Sequence, residues 1–231
     1  GYGGFNISIT PGFLPNIIPF LERGGVYAIA NIRGGGEFGK QWHEAGIKKN
    51  KQNGFDDFAA AAEWLVKEKY TQQSKLAIYG GSNGGLLVLA IATQRPELVK
   101  AIVSSVPVTD MARYHLFNGG LHWIPDYGNP DDPDMFPYLL KYSPYHNVRN
   151  GEKYPAILVI TSDSDDRVHP MHSFKIVARL HEANASSNPI ILRVEIKAGH
   201  SGAYAVSKYV ERTADFWSFI FDQLGMLLIT H

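Results

Sequence analysis

The feature that most constrains this chain is a serine between two pairs of glycines, in the segment LAIYGGSNGGLLVLA at residues 76–90. Glycine loses more conformational entropy on ordering than any other residue, so four glycines would weaken an ordinary strand or helix. An apolar strand-like run precedes the turn, and an apolar helical run follows it. Residues 80–84 therefore fit G-x-S-x-G in the strand–turn–helix context of a nucleophile elbow, where small neighbours let backbone segments cross closely beside an exposed serine.

Strand-like and helical segments alternate along the rest of the chain, which is typical of βαβ units and a mainly parallel sheet. Strands are predicted at 26–32, 75–80, 99–106, 156–161 and 190–196. Helices are predicted at 54–70, 84–94, 170–183 and 204–225. Residues 107–155, between two of these strands, are rich in Pro, Tyr, Asp and Gly and too long for an ordinary connection. Insertions of this kind often carry binding residues.

The composition excludes several kinds of function. The chain has 231 residues, of which 45% are hydrophobic, so it can bury a sizeable core. Its 22 basic and 22 acidic residues leave no electrostatic footprint for a nucleic acid or a membrane surface. The absence of cysteine excludes disulfides, zinc–thiolate sites and cysteine nucleophiles. No apolar run reaches the roughly 18 residues of a membrane span. We expect no nucleic-acid partner, no membrane partner, no cofactor and no metal.

A second glycine motif, GGGEFG at 34–39, fits the dinucleotide fingerprint G-x-G-x-x-G and follows the predicted strand 26–32. In a dinucleotide-binding fold, the acid that binds the ribose ends the next strand. Here Asp56 and Asp57 instead lie at the start of the predicted helix 54–70. We therefore interpret the motif as a tight structural turn.

A nucleophile elbow requires an acid and a histidine further along the chain, in that order. Two loops supply them, and both follow the carboxyl ends of predicted strands, where α/β sheets bind their ligands. The loop after strand 156–161 contains the candidate acids, which are Asp163, Asp165 and Asp166. The loop KAGHSG at 197–202 contains His200. Other histidines are expected to be surface or packing residues, namely His43, His146, His169, His172 and His181.

Eight segments together resemble the catalytic domain of the prolyl oligopeptidase family: GYGGF, NIRGGGEFG, KQNGFDDF, GGSNGGLL, DYG, SPYHNV, DSDDRV and KAGH. The resemblance implies an α/β-hydrolase fold, with a mainly parallel sheet and helices on both faces. Residues 1–231 would form the catalytic domain without its N-terminal segment, and 107–155 would be an insertion that contributes the substrate pocket. It also implies an upstream β-propeller in the same polypeptide, and we expect that domain to lie outside this chain.

The same resemblance implies roles for five residues in the chemistry. Ser82 would be the nucleophile, His200 the general base and Asp165 its acid partner. The backbone N–H of Asn83 and the hydroxyl of Tyr2 would form the oxyanion hole. Donors aimed at a developing oxyanion are worth about 2.7–4 kcal/mol each, so a tyrosine hydroxyl is suited to the task.

The resemblance also implies a pocket for proline. Arg167 would bind the carbonyl of the residue before proline, and Trp123 would stack on the proline ring. The other pocket residues would be Phe5, Val108, Tyr127 and Val168. Taken alone, Trp123 and Tyr127 also fit ordinary aromatic packing. Because they lie in HWIPDYG within the insertion, we interpret them as part of the pocket.

We therefore expect a monomeric, cytoplasmic serine peptidase that cleaves short peptides on the carboxyl side of proline. Two alternatives stay open. One is an esterase or a related oligopeptidase of different specificity, although an aromatic pocket argues against cleavage after basic residues. The other is a non-catalytic binding module on a hydrolase fold, although the three triad side chains are all present.

Overall fold

A four-stranded parallel sheet forms the centre of the computed structural model, which describes residues 1–202 and 205–226. Its strands are β1 (Ala77–Gly81), β2 (Ala101–Ser105), β3 (Ala156–Ser162) and β4 (Ile190–Glu195). They lie side by side in chain order, so each connection crosses from one end of the sheet to the other. The register runs straight across, with Ala77 opposite Ala101 and Ala101 opposite Ala156.

Four helices of twelve residues or more account for most of the helical structure among the described residues. These are α3 (Gln52–Lys67), α4 (Asn83–Gln94), α8 (Met171–Ala183) and α9 (Val206–Leu224). The shorter helices are α1 (Ile18–Leu21), α2 (Lys40–Glu44), α5 (Ile124–Tyr127), α6 (Phe136–Tyr142) and α7 (Pro144–Asn147). Single 3₁₀ turns occur at Pro15–Ile17, Lys48–Asn50, Gln73–Lys75, Pro96–Leu98, Tyr114–Leu116 and Gly120–Trp123. The helix predicted at 204–225 matches α9. Residue 204, where the predicted helix begins, lies outside the described residues.

The sheet is covered on both faces, as an α/β-hydrolase fold requires. Side chains alternate between the two faces of a strand, so Ile102 and Val103 of β2 point in opposite directions. Ile102 belongs to the core formed with α3, α4 and α8. Val103 belongs to a second core, in which Trp217 and Ile220 of α9 cover the other face. Burial on both sides explains why β3 is a continuous apolar run rather than an alternating one.

The prediction of a strand at 26–32 is wrong. This segment forms no strand in the structure, and Val26 and Ile29 are 62% and 44% exposed. A cavity of about 1170 Å³ is lined both by residues of this segment and by β1. A strand needs a neighbour at about 4.8 Å for its ladder of hydrogen bonds, and this segment pairs with no strand among the described residues. An apolar pattern favours a strand, but strand pairing also requires a neighbouring strand, which the pattern does not specify.

The insertion at 107–155 is packed into the main core. It contains α5, α6 and α7, and its apolar side chains join those of α4 and α8 in one cluster. The most buried of these side chains are Val108, Met111, Tyr114, Tyr127, Leu139 and Tyr154. In the described part of the chain, no helix is both long and apolar enough to cross a membrane.

The start of the insertion is fastened to α8 by a buried histidine. His172 Nδ1 accepts the backbone N–H groups of Thr109 (3.2 Å) and Asp110 (3.1 Å). The Thr109 hydroxyl donates to the His172 carbonyl at 2.7 Å. Burial lowers the pKa of His172 to about 4, and the negative charge of Asp110 only partly opposes this. His172 is therefore neutral in the folded protein at neutral pH.

We predict that this histidine makes the fold sensitive to mild acid. Unfolded histidine titrates near pH 6.5, so between about pH 6.5 and 4 the unfolded chain binds a proton that the folded chain excludes. The free energy of unfolding should fall across this window by up to about 3 kcal/mol. Urea unfolding at a series of pH values measures the slope.

The matched comparison uses two histidines of α8. His172→Gln should be less stable at pH 7, because buried hydrogen bonds are disturbed, yet lose less stability on acidification. His181→Gln, at an exposed position of the same helix, should keep the wild-type slope. An unchanged slope in His172→Gln would show that another group causes the acid sensitivity.

Candidate active site

Close backbone crossings require glycine at two positions beside Ser82, Gly80 and Gly84. Ser82 lies at the corner between β1 and α4. A Cβ atom on Gly80 would lie 2.0 Å from the carbonyl oxygen of Gly84. A Cβ atom on Gly84 would lie 2.4 Å from the carbonyl oxygen of Gly1. No side chain fits at either position, so the sharp turn that carries the serine requires glycine at 80 and 84.

The serine is held in a backbone conformation that L-residues rarely adopt, with φ 56° and ψ −115°. Its N–H donates to the Ser105 carbonyl (2.8 Å), and its carbonyl accepts the N–H of Leu86 (3.1 Å). The sheet thus holds one side of the residue and the helix holds the other. Such over-determination is what allows a strained residue to persist, and strain of this kind clusters at functional sites.

The serine also lies at the positive end of a helix. Asn83 is the first residue of α4, so its N–H belongs to the first turn, where N–H groups have no partner within the helix. The helix dipole adds about half a positive charge at this end. Negative charge that develops beside Ser82 is therefore stabilised before any side chain contributes.

His200 and Asp165 form a hydrogen-bonded pair. The Nδ1 atom of His200 lies 2.8 Å from Oδ2 and 3.0 Å from Oδ1 of Asp165, whose carboxylate is fully buried. Oδ1 also accepts the N–H groups of Arg167 (2.9 Å) and Val168 (2.8 Å). The carboxylate is thus fixed in place, and it favours the tautomer with the proton on Nδ1. The other ring nitrogen, Nε2, is then the one that can accept a proton.

The neighbouring aspartates have other environments. Asp163, at the end of β3, accepts the N–H of Lys197 at 2.7 Å and so joins the two loops that carry the acid and the histidine. Asp166 is exposed. From the insertion, the Asn118 side chain donates to the Asp165 carbonyl at 2.9 Å. Of the three candidate acids, the geometry therefore favours Asp165 as the partner of His200.

Tyr2 lies in the GYGGF turn, next to the elbow. The Asn83 side-chain amide donates to the Tyr2 carbonyl at 2.6 Å. Burial raises the pKa of the Tyr2 hydroxyl, the Asp126 carboxylate raises it further, and the positive charge of Arg167 opposes both. The hydroxyl therefore stays protonated at neutral pH and is available as a donor.

The five predicted apolar pocket residues belong to one cluster. Tyr127 makes edge-on ring contacts with Phe5 at 5.4 Å and with Trp123 at 6.3 Å. Phe5 and Trp123 are partly exposed. Tyr127, Val108 and Val168 are buried, with 1%, 1% and 2% exposure. The accessible apolar surface therefore comes mainly from Phe5 and Trp123, and the other three residues support it from behind.

Arg167 is exposed and close to the same cluster. A Cβ atom on Gly119 would lie 3.6 Å from the Arg167 carbonyl and 3.8 Å from the Trp123 ring. The loop that carries the acid thus passes beside the predicted stacking residue. The positive charge of Arg167 acts on the Tyr2 hydroxyl, where it partly opposes the rise in pKa that burial causes.

Two charged residues that lie beside the GYGGF turn, Lys51 and Asp126, belong to no motif that local sequence reveals. Lys51 ends the basic run KKNK but is only 2% exposed, and its Nζ donates to the Gly3 carbonyl (3.1 Å) and to Asp126 (3.4 Å). Asp126 also accepts the N–H of Phe5 at 3.0 Å. Burial lowers the pKa of Lys51, and the Asp126 charge partly opposes this. These contacts join residues 48 to 121 positions apart, which a local pattern does not reveal.

The GGGEFG motif is a turn that packs against the same segment. Gly34 has φ 100°, and a Cβ atom there would lie 2.5 Å from the Gly3 carbonyl. Its N–H donates to the Trp42 carbonyl at 3.1 Å. No strand precedes it among the described residues, so the strand–turn–helix context of a dinucleotide site is missing.

Comparison with known proteins identifies close relatives. The sequence profile described as the prolyl oligopeptidase family matches residues 11–227. The chain is 50% identical over 232 residues to a prolyl endopeptidase of Dictyostelium discoideum, covering 99% of this chain and 30% of that protein. It is 49% identical over 226 residues to a prolyl endopeptidase of Elizabethkingia miricola, covering 97% of this chain and 32% of that protein.

The same fold is found in a solved prolyl endopeptidase structure, which comes from a study of inter-domain dynamics in catalysis and specificity. That structure superposes with a TM-score of 0.96 at 54% identity, covering 98% of this chain and 33% of that one. The chain therefore spans about a third of the length of the relatives it matches.

We predict that the backbone strain at Ser82 measurably lowers the stability of the protein. In the full-length protein, Ser82→Gly should be more stable than Ser82→Ala. Relief of a strained φ is worth about 1–3 kcal/mol, whereas the extra backbone entropy of glycine costs roughly 0.5–1 kcal/mol. Urea unfolding of the two variants compares them directly. A less stable glycine variant would mean that the backbone at Ser82 is not strained.

We predict that Asp165→Asn lowers kcat by a factor on the order of 10⁴ in the hydrolysis of a small activated ester, because an amide no longer favours the Nδ1–H tautomer of His200. The matched control is Asp163→Asn, which changes a nearby carboxylate that does not touch His200 in the structure and should retain most activity. If the two variants lost activity equally, the loop conformation rather than the Asp165–His200 pair would be decisive.

Proposed function

This chain belongs to the prolyl oligopeptidase family, and from that premise we propose that it carries the catalytic machinery of a serine peptidase that cleaves short peptides after proline. The observation that supports this most strongly is the Asp165–His200 hydrogen bond, at 2.8 Å, in a chain whose Ser82 lies on a strained strand-to-helix corner. A nucleophilic serine needs a base, and the base needs a partner that fixes its tautomer.

The proposed reaction proceeds in two halves. Ser82 Oγ attacks the carbonyl carbon of the peptide bond while His200 Nε2 accepts its proton. The carbonyl oxygen becomes an oxyanion, and it is stabilised by the Asn83 N–H and the Tyr2 hydroxyl. His200 then protonates the leaving amine, which breaks the peptide bond and leaves an acyl-enzyme on Ser82. In the second half, water attacks the acyl carbon while His200 Nε2 accepts a proton from it. His200 then returns that proton to Ser82 Oγ as the acyl bond breaks and the carboxylic acid leaves. Asp165 stabilises the imidazolium each time it forms.

The preference for proline follows from the surface that Trp123 and Phe5 offer. Proline has a rigid apolar ring and no backbone N–H, so a pocket for it needs an apolar face and no acceptor for a hydrogen bond. Aromatic side chains meet this need by stacking. Arg167, exposed beside Trp123, is the group we propose to bind the carbonyl of the preceding residue.

The limit to short peptides would come from outside this chain. The curated relatives are about three times as long as the part matched here. We propose that a β-propeller in the same polypeptide restricts access to the active site, as the resemblance to the family implies. The monomeric state and the cytoplasmic location stay predictions.

The direct test is the mass of the products from a peptide that contains one internal proline. With the full-length protein, we expect cleavage on the carboxyl side of that proline, and much slower cleavage when the proline is replaced by alanine. Cleavage at another residue would favour the related oligopeptidases of different specificity. Hydrolysis of esters alone would favour the esterase alternative.

We predict that Trp123→Ala lowers kcat/KM for a Pro substrate much more than for its Ala counterpart. An apolar partner of this size contributes about 1–3 kcal/mol, or roughly 10–200-fold, to such discrimination. Arg167→Ala is the matched control, because its proposed contact is with a backbone carbonyl and its loss should weaken both substrates alike. An unchanged Pro/Ala ratio in Trp123→Ala would show that this indole only packs the insertion.

A further inference from the structure

The side chain of Asn83 links the two residues that carry the proposed oxyanion donors, Asn83 itself and Tyr2. The Asn83 amide is 2% exposed, and its Nδ2 donates to the carbonyl of Tyr2 at 2.6 Å. The backbone N–H of Asn83 is one proposed donor, and the hydroxyl of Tyr2 is the other. The distance between the two donors therefore depends on which way this amide is turned.

Tyr127 determines the orientation of this amide. The Tyr127 hydroxyl donates to Asn83 Oδ1 at 2.9 Å. Burial, aided by the nearby Asp126 carboxylate, raises the pKa of Tyr127 well above its usual value, so the hydroxyl stays protonated. A protonated phenol is a good donor for Oδ1 and leaves Nδ2 to face Tyr2. If the amide turned over, its oxygen would face the Tyr2 carbonyl and the two acceptors would repel.

The rest of the GYGGF turn is held from the same side. Asp126, next to Tyr127 on α5, accepts the Phe5 N–H, and Lys51 donates to the Gly3 carbonyl. Both charged side chains are 5% exposed or less. Side chains from outside the turn thus bind its backbone at Tyr2, Gly3 and Phe5. Of these three contacts, the one from the Asn83 amide is made at Tyr2 itself, so it bears most directly on the position of the Tyr2 hydroxyl.

We propose that Tyr127 is a positioning residue for the oxyanion hole, acting through the side-chain amide of Asn83. The proposal rests on the proposed function, since it needs an oxyanion to form beside Ser82. Tyr127 is also the ring that Phe5 and Trp123 contact edge-on. The wall of the proline pocket and the alignment of the oxyanion donors therefore depend on the same residue.

The first test is Tyr127→Phe in the full-length protein, which removes the hydroxyl and keeps the ring. We expect kcat to fall about 10–100-fold with little change in KM, because a displacement of about 1 Å in a catalytic group can cost 10²-fold and the donors themselves remain. The loss should be equal for Pro and Ala substrates. A change confined to KM, or to the Pro/Ala ratio, would assign Tyr127 to the pocket alone.

The matched control is Tyr154→Phe. Tyr154 is another fully buried tyrosine whose hydroxyl bonds the backbone, at Arg149, but it lies outside the site. It should lose stability to a similar degree and keep the wild-type kcat. An equal loss of kcat in Tyr154→Phe would mean that any buried hydroxyl in this fold affects the rate through stability, and the proposal would fail.

A second experiment measures stabilisation of the oxyanion separately from substrate binding. In a peptide aldehyde ending in proline, Ser82 Oγ adds to the aldehyde carbon, its proton passes to His200, and the carbonyl oxygen becomes an oxyanion. Tyr127→Phe should weaken inhibition by the aldehyde by about the factor lost in kcat/KM, as expected for a transition-state analogue. The matching peptide alcohol, which forms no adduct, should bind as to wild type. Equal weakening of aldehyde and alcohol would contradict the proposal.

A double-mutant cycle tests the route through Asn83. Asn83→Ala keeps the backbone N–H and removes the amide, so it should lower kcat at an unchanged KM. Adding Tyr127→Phe to Asn83→Ala should cost nothing more, because coupled residues are not additive. Additive losses would show that Tyr127 acts by another path. Wild-type protein that cleaves no prolyl peptide would instead refute the proposed function, so the two failures are distinguishable.

Discussion

The close crossing of backbone segments at the elbow is the constraint on which the rest of the site depends. Gly80 and Gly84 approach so closely that a methyl group at either would overlap a carbonyl oxygen. This approach places the end of β1, the start of α4 and the GYGGF turn in mutual contact. Ser82 takes its strained conformation as a consequence, and the N-terminus of α4 is directed at the point where charge develops.

The groups around the serine are held by contacts of very different kinds. Asp165 is fixed by the backbone N–H groups of Arg167 and Val168 in the loop that follows β3, and Asp165 in turn holds the ring of His200 at Nδ1. The GYGGF turn is not itself part of a strand in the described structure, and the side chains of Asn83, Asp126 and Lys51 hold its backbone. Replacing a buried ion pair by well-packed apolar residues is often neutral or stabilising, because the cost of desolvating the two charges offsets their attraction. The Lys51–Asp126 pair is therefore better understood as a device for position than as a source of stability.

The local sequence pattern was enough to predict the strands of the sheet and the long helices. Strands β1 to β4 and the four long helices lie within a few residues of their predicted bounds, since apolar runs and glycine turns determine them. The segment 26–32 has the same apolar pattern and is not a strand, because pairing requires a neighbour. Lys51 shows the same limit: a lysine in a basic run is expected at the surface, and only the tertiary fold brings Asp126 and Gly3 to it.

The residues of the site also divide into those that sequence motifs reveal and those that only the folded structure reveals. The motifs and their order select Ser82 and His200 and narrow the acid to three aspartates, among which contact with His200 favours Asp165. The hydroxyl of Tyr127 is different, because a tyrosine in an aromatic insertion is read first as an apolar ring. Its hydrogen bond to Asn83 joins residues 44 positions apart and becomes visible only in the folded chain.

The central claim is that the elbow turns Ser82 into a nucleophile, and covalent labelling tests it most directly. A fluorophosphonate reacts with an activated serine, and peptide mass spectrometry locates the modified residue. The account predicts one label per full-length molecule, on the peptide that contains Ser82, with the rate of labelling greatly reduced in His200→Ala. A label on a different serine, or labelling at the wild-type rate without His200, would contradict it.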